Sequence, residues 1–264
     1  MKKPDFIKAF SFSRTVYAVT IMFLFMPLLV LVLYSFNESR SGSWTGFSLR
    51  WYVKLFTDSS DLWRAFGNSA IVALSSALVA TVIGTLGAVG VNWYRFRLRG
   101  CLRTITFLPM ILPEIIIGVS LLVFFSGLGI RLGLFTVFVA HVSFNLPFVF
   151  LLVLARLEEF DFSIIEASRD LGATELQTLW RVILPLTMPG IMSGFLTAVT
   201  LSLEDFVITF FVTGPGATTL PLYVYSAIRF GVSPVINALS VVMILGTVVL
   251  AWSMRRFLKN IAAK

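Results

Sequence analysis

Long apolar runs alternate with short polar segments along almost the whole chain. Six of these runs are close to the roughly 20 residues that an α-helix needs to cross the hydrocarbon core of a bilayer. They are residues 15–35, 67–92, 104–126, 134–155, 187–212 and 236–254. The pattern predicts an all-α, polytopic membrane protein with six transmembrane helices. No small-residue cleavage site follows the first run, so we expect a retained helix rather than a signal peptide.

Composition strengthens this prediction and excludes two other classes. The 264 residues are 58% hydrophobic and 13% charged, with a mean hydropathy of +0.92. That much apolar surface is typical of a membrane protein rather than a soluble domain. The net charge of +8 does not indicate nucleic-acid binding, because the basic residues form short clusters between the apolar runs. The only cysteine, Cys101, excludes an internal disulfide.

The clusters of Lys and Arg predict the orientation of the chain. They concentrate at residues 1–14, 95–103, 156–185 and 255–264, which share one side of the membrane if six helices cross it. Because positive loops stay inside, both termini are expected in the cytoplasm. The organisation predicted is a cytoplasmic segment of residues 1–14 and a single transmembrane domain of residues 15–264. Residues 156–185 then form an inner loop.

The inner loop has the sequence pattern of two short helices. Ser163 followed by Glu166, and Thr174 followed by Gln177, both match the capping box that begins a helix. The first helix is predicted to run through Leu171, and Gly172 supplies the left-handed residue that ends it. The second helix is predicted to continue toward the end of the loop.

An apolar stripe at helical spacing marks the second of these helices. Its members are Leu176, Leu179, Trp180 and Ile183. One interpretation is an amphipathic hairpin that lies on the membrane surface. The other is a projecting helix that docks into a groove of a partner protein.

Three acidic residues lie inside the predicted spans. Glu114 falls near mid-membrane in the third span, and Glu204 and Asp205 fall nearer the outer half of the fifth. Ionisable residues at such depths normally face the bundle interior or a water-filled cavity. Alternatively, these acids are protonated or bonded to polar neighbours. Adjacent helical residues point about 100° apart, so Glu204 and Asp205 are not expected to face one pathway equally.

No Lys or Arg lies in any span to neutralise the acids, which favours a cationic passenger. Phe206 and Phe210 follow directly and could contact the ammonium groups and methylenes of a polyamine. Thiamine or an amino acid is also compatible with this pattern. His141, in the fourth span, is interpreted as a hydrogen-bonding helix contact. Neither a metal site nor the Gly-x-x-x-x-Gly-Lys-Ser/Thr loop of an ATPase is found, so the chain is expected not to be an enzyme.

The segment "EASRDLGATELQTLWRVILP" at 166–185 resembles the coupling loop of ABC importer permeases. This loop carries a Glu-Ala-Ala triplet, a following glycine and a terminal Leu-Pro. Ser168 departs from the triplet, but serine is also small. The resemblance implies a type I (MetI-like) permease fold whose coupling residues are Glu166, Ala167, Ser168, Asp170, Gly172, Ala173, Leu184 and Pro185.

Four further segments resemble the permeases of spermidine/putrescine importers. They are "YSFNES" at 34–39, "RFRLRG" at 95–100, "SLEDFVITFFVTGPGATTLPLYVYS" at 202–226 and "GVSPVINAL" at 231–239. The resemblance implies an inner-membrane permease for polyamines whose pathway is lined by Glu114, Glu204, Asp205, Phe206 and Phe210. It also implies three partners: a sister permease, expected to be a different chain, a cytoplasmic ATPase dimer that holds the ATP and Mg²⁺, and an extracytoplasmic substrate-binding protein. The rival hypothesis is a stand-alone secondary transporter, for which the helical inner loop has no role.

Overall fold

A computed structural model describes residues 6–40, 43–94, 96–159, 161, 163–229 and 233–262. These residues fold into helices, and the part described contains no strands beyond a single bridge between Asn37 and Phe47. The helices are α1 (Phe6–Ser35), α2 (Arg50–Thr57), α3 (Ser60–Trp93), α4 (Arg99–Ile111), α5 (Glu114–Gly127), α6 (Leu134–Glu158), α7 (Ser163–Asp170), α8 (Glu175–Thr178), α9 (Leu184–Glu204), α10 (Val207–Val212), α11 (Leu220–Arg229) and α12 (Pro234–Ala262).

The helix lengths agree with the predicted all-α membrane fold. Within the described residues, four helices are long and apolar enough to cross a membrane, and the bent pair α4–α5 accounts for a fifth crossing. Helix α12 is apolar over Pro234–Val249 and corresponds to the sixth predicted span. The predicted cytoplasmic segment 1–14 lies largely outside the residues whose side chains are described.

Two of the predicted spans are interrupted rather than single continuous helices. The third span is the pair α4 and α5, which meet at an angle of 105°. Pro113 causes this break, because a proline excludes the preceding residue from the helical region, and Leu112 is extended with ψ 139°. The fifth span breaks at Asp205, which is extended with ψ 121° although no proline or glycine is nearby.

The chain forms two compact units. Unit 1 comprises residues 1–60 and 226–264, and in it α12 packs against α1 and α2. The loop between α1 and α2 is held by the buried Asn37, whose carbonyl oxygen accepts from Trp51 Nε1 at 2.7 Å. Its side-chain oxygen accepts from the backbone N–H of Thr45 at 2.9 Å.

Unit 2 comprises residues 61–225 and contains both broken spans. One buried cluster joins α3, α6 and α9 and includes Ala80, Val149 and Ala198. A second joins α5, α6 and α10 around Phe125, Val137 and Ile208. These clusters pack together the helices on either side of the two breaks.

Glycine allows α6 and α9 to approach closely. A Cβ atom on Gly190 would lie 2.8 Å from Arg156 Cβ, and one on Gly194 would lie 3.2 Å from Val149 Cα. Small residues serve this purpose in membrane helices, where close packing rather than hydrophobic burial drives association.

Gly118 gives a test of the contact between α5 and α10. A Cβ atom at this position would lie 2.7 Å from Phe211 Cδ2 and 3.4 Å from Ile208 Cα. We expect Gly118→Ala to lower the free energy of unfolding by about 1–3 kcal/mol through overpacking. The measurement is thermal unfolding of the purified protein in detergent. Gly127→Ala, on the same helix with open space around its Cβ position, serves as the control. It should change the unfolding midpoint far less than Gly118→Ala. Equal shifts of the midpoint in the two variants would contradict the packing argument.

Candidate functional site

The two helix breaks of unit 2 bring the three predicted acidic residues into one region. Glu114 is the first residue of α5, directly after the Pro113 break, and Glu204 is the last residue of α9. Helices α5 and α10 pack against each other, and Gly118, one turn after Glu114, lies against Ile208 and Phe211 of α10. Segments that are about 90 positions apart in the chain therefore pack together.

The helix ends at both breaks carry partial charges that favour charged groups. An acid in the first turn of a helix is stabilised by the positive end of the helix dipole, and Glu114 has this position in α5. The last carbonyl groups of α9 form a negative end at Glu204, which favours a cation there. Discontinuous helices in transporters build ion sites from helix ends in this way.

Glu204 and Asp205 have different surroundings, as the adjacent-residue geometry predicts. Glu204 is exposed on the chain, whereas Asp205 is only 7% exposed. The carboxylate of Asp205 accepts from the backbone N–H of Thr209 at 2.8 Å, from its hydroxyl at 2.7 Å, and from the backbone N–H of Ile208 at 3.2 Å. Asp205 therefore caps α10 and causes the break in the fifth span.

His141 is the main contact that the sequence interpretation of the acids overlooked. The prediction of a hydrogen-bonding helix contact is confirmed, since the buried ring lies between Ser202 and Asp205. For Asp205 this contact agrees with the alternative interpretation that the acids bond to polar neighbours. The two residues are 64 positions apart, and no local pattern links them.

Aromatic rings surround the exposed side of the break. The centroid of Phe206 lies 5.7 Å from that of Phe210 and 4.7 Å from that of Tyr225 on α11. Phe210 is 50% exposed and Tyr225 is 48% exposed. Tyr225 was not among the predicted pathway residues. The exposed rings next to Glu204 can provide cation–π contacts for an ammonium group.

A cavity of about 230 Å³ lies beside the first break. Its lining is mostly apolar and comes from α4, α5, α6 and the link between α4 and α5: Pro109, Leu112, Ile116, Ile117, Ser120, Leu121, Ser143 and Phe144. Among the described residues, no group of three His, Cys, Asp or Glu side chains is arranged to hold a metal ion.

The inner loop folds as two short helices with a turn at Gly172, as predicted. Helix α7 ends at Asp170, and Gly172 has φ +81°. The Thr174–Gln177 capping box is confirmed by both of its hydrogen bonds. The Ser163–Glu166 box is wrong, because Ser163 is already helical and its N–H donates to the Asp161 carboxylate. This bond holds the pKa of the exposed Asp161 below its usual value.

The second helix of the inner loop does not stop at Pro185. A π-helical turn at Leu179–Ile183 joins α8 to α9, so one helical run of Glu175–Glu204 crosses from the inner loop into the span. Pro185 follows this π-helical turn by two residues and donates no backbone N–H to it. Leu184 and Pro185, predicted to end the coupling loop, thus lie inside a continuous helix.

Ser168 joins the two short helices through its hydroxyl. Its Oγ donates to the carbonyl of Ile165 at 2.8 Å and lies 3.0 Å from the Oγ1 of the buried Thr178. Arg169 contacts Glu175 at 3.7 Å and lies over the ring of Trp93 at 5.7 Å. These contacts attach the loop to the C-terminal end of α3.

The predicted apolar stripe divides into a packed half and an exposed half. Ile183 is buried in the α3–α6–α9 cluster, and Leu179 packs against it. Leu176 and Trp180 are each 65% exposed, and Leu171 at the turn is 89% exposed. Glu166, Ala167 and Asp170 are exposed on the same loop, and Ala173 is half-buried. The loop therefore presents an apolar surface that the single chain does not cover.

Comparison with known proteins identifies the family. The model of the binding-protein-dependent transport system inner membrane component matches residues 80–264. The chain belongs to this family. It is therefore a multi-pass inner-membrane protein of a binding-protein-dependent importer, a transport subunit rather than an enzyme, and the resemblance to ABC importer permeases is confirmed.

Two relatives are similar over most of their length. The spermidine/putrescine transport system permease protein PotC of Escherichia coli (strain K12) is 41% identical over 240 residues, which cover 90% of this chain and 89% of PotC. The putrescine transport system permease protein PotI of the same organism is 44% identical over 234 residues, which cover 86% of this chain and 83% of PotI. The predicted similarity to polyamine permeases is thereby confirmed.

Solved structures confirm the MetI-like fold. A chain from the crystal structure of a bacterial ABC transporter that imports the acidic polysaccharide alginate has a TM-score of 0.77 at 17% identity, covering 97% of this chain and 98% of that one. A chain of the MetNI methionine transporter has a TM-score of 0.58 at 22% identity, covering 75% and 93%. At these identities the likeness concerns the fold and not the substrate.

Proposed function

We propose that this chain is the transmembrane permease subunit of an ATP-driven importer of polyamines such as spermidine or putrescine. The observation that carries the proposal is the position of Glu114 and of the exposed Glu204 at the two helix breaks of unit 2. The sequence similarity to PotC and PotI supports the same substrate class.

The geometry suits a flexible polycation in two respects. The exposed carboxylate of Glu204 and the carboxylate of Glu114 offer separate partners for ammonium groups. The rings of Phe206, Phe210 and Tyr225 offer faces for ammonium groups and for the methylenes between them. Because Asp205 is buried and already receives several donors, Glu204 is the one of the adjacent pair that meets the passenger.

The partners of the chain form the second part of the proposal. One six-span chain provides half of a pathway, and a sister permease, expected to be a different chain, provides the other half. A cytoplasmic ATPase dimer, which holds ATP and Mg²⁺, docks on the exposed apolar side chains of Leu171, Leu176 and Trp180. A substrate-binding protein delivers the polyamine from outside. In this arrangement the inner loop and both termini face the cytoplasm.

Uptake by the reconstituted complex tests the substrate class. We expect ATP-dependent uptake of labelled spermidine into proteoliposomes that contain both permeases and the ATPase, with loaded binding protein outside. Unlabelled putrescine should compete, whereas thiamine and amino acids should not. Competition by thiamine or an amino acid alone would assign another cationic solute. Uptake that continues without ATP would favour the secondary transporter.

A further inference from the structure

A chain of buried polar side chains crosses four helices of unit 2 and ends at the break beside Glu204. It begins with Ser76 on α3, whose Oγ lies 3.4 Å from the Oγ of Ser202 on α9. The Oγ of Ser202 lies 2.6 Å from Nδ1 of His141 on α6. On the far side of the ring, Nε2 lies 2.8 Å from Thr209 Oγ1 and 3.2 Å from Asp205 Oδ2.

The neighbours of His141 determine where its proton lies. The hydroxyl of Thr209 donates to the Asp205 carboxylate, so towards Nε2 both Thr209 and Asp205 act as acceptors. Nε2 must therefore carry a hydrogen and donate. Nδ1 can accept from the Ser202 hydroxyl, which completes the set of bonds around a ring that is only 1% exposed.

Asp205 is bound on all sides by these donors. Two backbone N–H groups, the Thr209 hydroxyl and the His141 ring donate to its two oxygens. This arrangement fixes the extended backbone of Asp205, and hence the direction in which α9 ends. Glu204 is the residue at that end.

We infer that His141 is a positioning residue for the cation site: by bonding Asp205 it holds the helix break so that Glu204 faces the passenger. The inference rests on the proposed function, because it assigns the effect of His141 to Glu204. His141 itself contacts no passenger, since it is buried behind the break. The role is specific to Nε2, which is the ring nitrogen that reaches Asp205 and Thr209.

Two substitutions separate the roles of the ring nitrogens. In His141→Gln the side-chain amide extends to the position of Nε2 and keeps a donor for Asp205. In His141→Asn the amide extends only to the position of Nδ1, and Asp205 loses this donor. Spermidine transport should fall about 10-fold in the Asn variant, as expected for loss of a hydrogen bond to a charged group, and less than about 3-fold in the Gln variant.

A double-mutant cycle with Glu204→Gln tests whether His141 acts through Glu204. Transport is measured in proteoliposomes with spermidine-loaded binding protein at saturation, and rates are given per intact complex isolated by gel filtration. We expect the double variant His141→Asn, Glu204→Gln to transport at the rate of Glu204→Gln alone. A purely structural role of His141 would instead multiply the two losses.

The outcomes distinguish failure of this inference from failure of the proposed function. If Glu204→Gln slows transport but the losses of the double variant multiply, or if His141→Gln is as slow as His141→Asn, the positioning role is overturned. If Glu204→Gln transports spermidine at the wild-type rate, the cation site of the proposed function fails first. If His141→Asn yields no intact complex, the cycle is run with Thr209→Val, which removes the hydroxyl between Nε2 and Asp205. In that cycle too, losses that multiply overturn the positioning role, and wild-type transport by Glu204→Gln overturns the cation site.

Discussion

Replacing Gly172 with valine should reduce ATP-driven uptake about 100-fold, because loss of a central interface contact costs about 2–4 kcal/mol and each 1.4 kcal/mol is tenfold. Gly172 forms the turn between α7 and α8 with φ +81°. A β-branched residue is strained at such a φ, so the turn must change its backbone. The change would displace Leu171, the most exposed apolar side chain of the inner loop. We therefore expect the ATPase to dissociate from the permease or to hydrolyse ATP without transport.

The chain offers a matched control for this substitution. Gly129, in the turn after α5, also has a positive φ, +68°, and a Cβ atom at either glycine would have no heavy atom within 4 Å. Gly129→Val therefore introduces a similar backbone strain at the other end of the helix bundle. Retention of the ATPase on an affinity-tagged permease and uptake into proteoliposomes should both decrease for Gly172→Val and much less for Gly129→Val. Wild-type uptake by an assembled Gly172→Val complex would show that this loop does not couple to an ATPase.

The sequence predicts the inner loop well where the determinants are local. Gly172 ends a helix because only glycine adopts its φ without strain, and the Thr174–Gln177 box depends on residues three positions apart. The all-α membrane fold was predictable for a similar reason, since a bilayer requires long apolar helices whatever their neighbours. The Ser163–Glu166 box failed because Asp161, two residues earlier, provides the acceptor at that helix end.

The candidate site was less predictable because its determinants are distant in sequence. Pro113 signals a break in the third span, but nothing local gives the angle of 105° between α4 and α5. Asp205 breaks the fifth span by capping α10, and this requires its carboxylate to be buried beside His141. From the sequence alone, an Asp within an apolar run is equally compatible with a residue that lines a pathway. The contacts in the folded chain decide between a capping residue and a pathway residue, and they distinguish the buried Asp205 from the exposed Glu204.

Glu204→Gln should act on transport and Asp205→Asn on stability, although the two residues are adjacent and both changes replace a carboxylate by an amide. We expect Glu204→Gln to slow spermidine transport about 10- to 100-fold, since removal of a bond to a charged group costs about 1.5–3 kcal/mol. The folded protein should be unaffected, because Glu204 is exposed at the end of α9. Transport is measured in proteoliposomes, and stability is measured by thermal unfolding in detergent.

Asp205→Asn should instead act on stability. Asparagine can place its one side-chain oxygen at the position of Oδ2, where it accepts from His141 and from the N–H and hydroxyl of Thr209. Its amide group then replaces Oδ1, so the buried N–H of Ile208 loses its acceptor. A buried donor left without a partner costs about 1–3 kcal/mol, so the unfolding midpoint should fall while transport per folded complex changes by less than about 3-fold. The predicted pathway role of Asp205 would be supported if transport fell as far as in Glu204→Gln. Normal spermidine transport by the double variant Glu204→Gln, Asp205→Asn would contradict a cation site at this break altogether, because the break would then retain neither carboxylate.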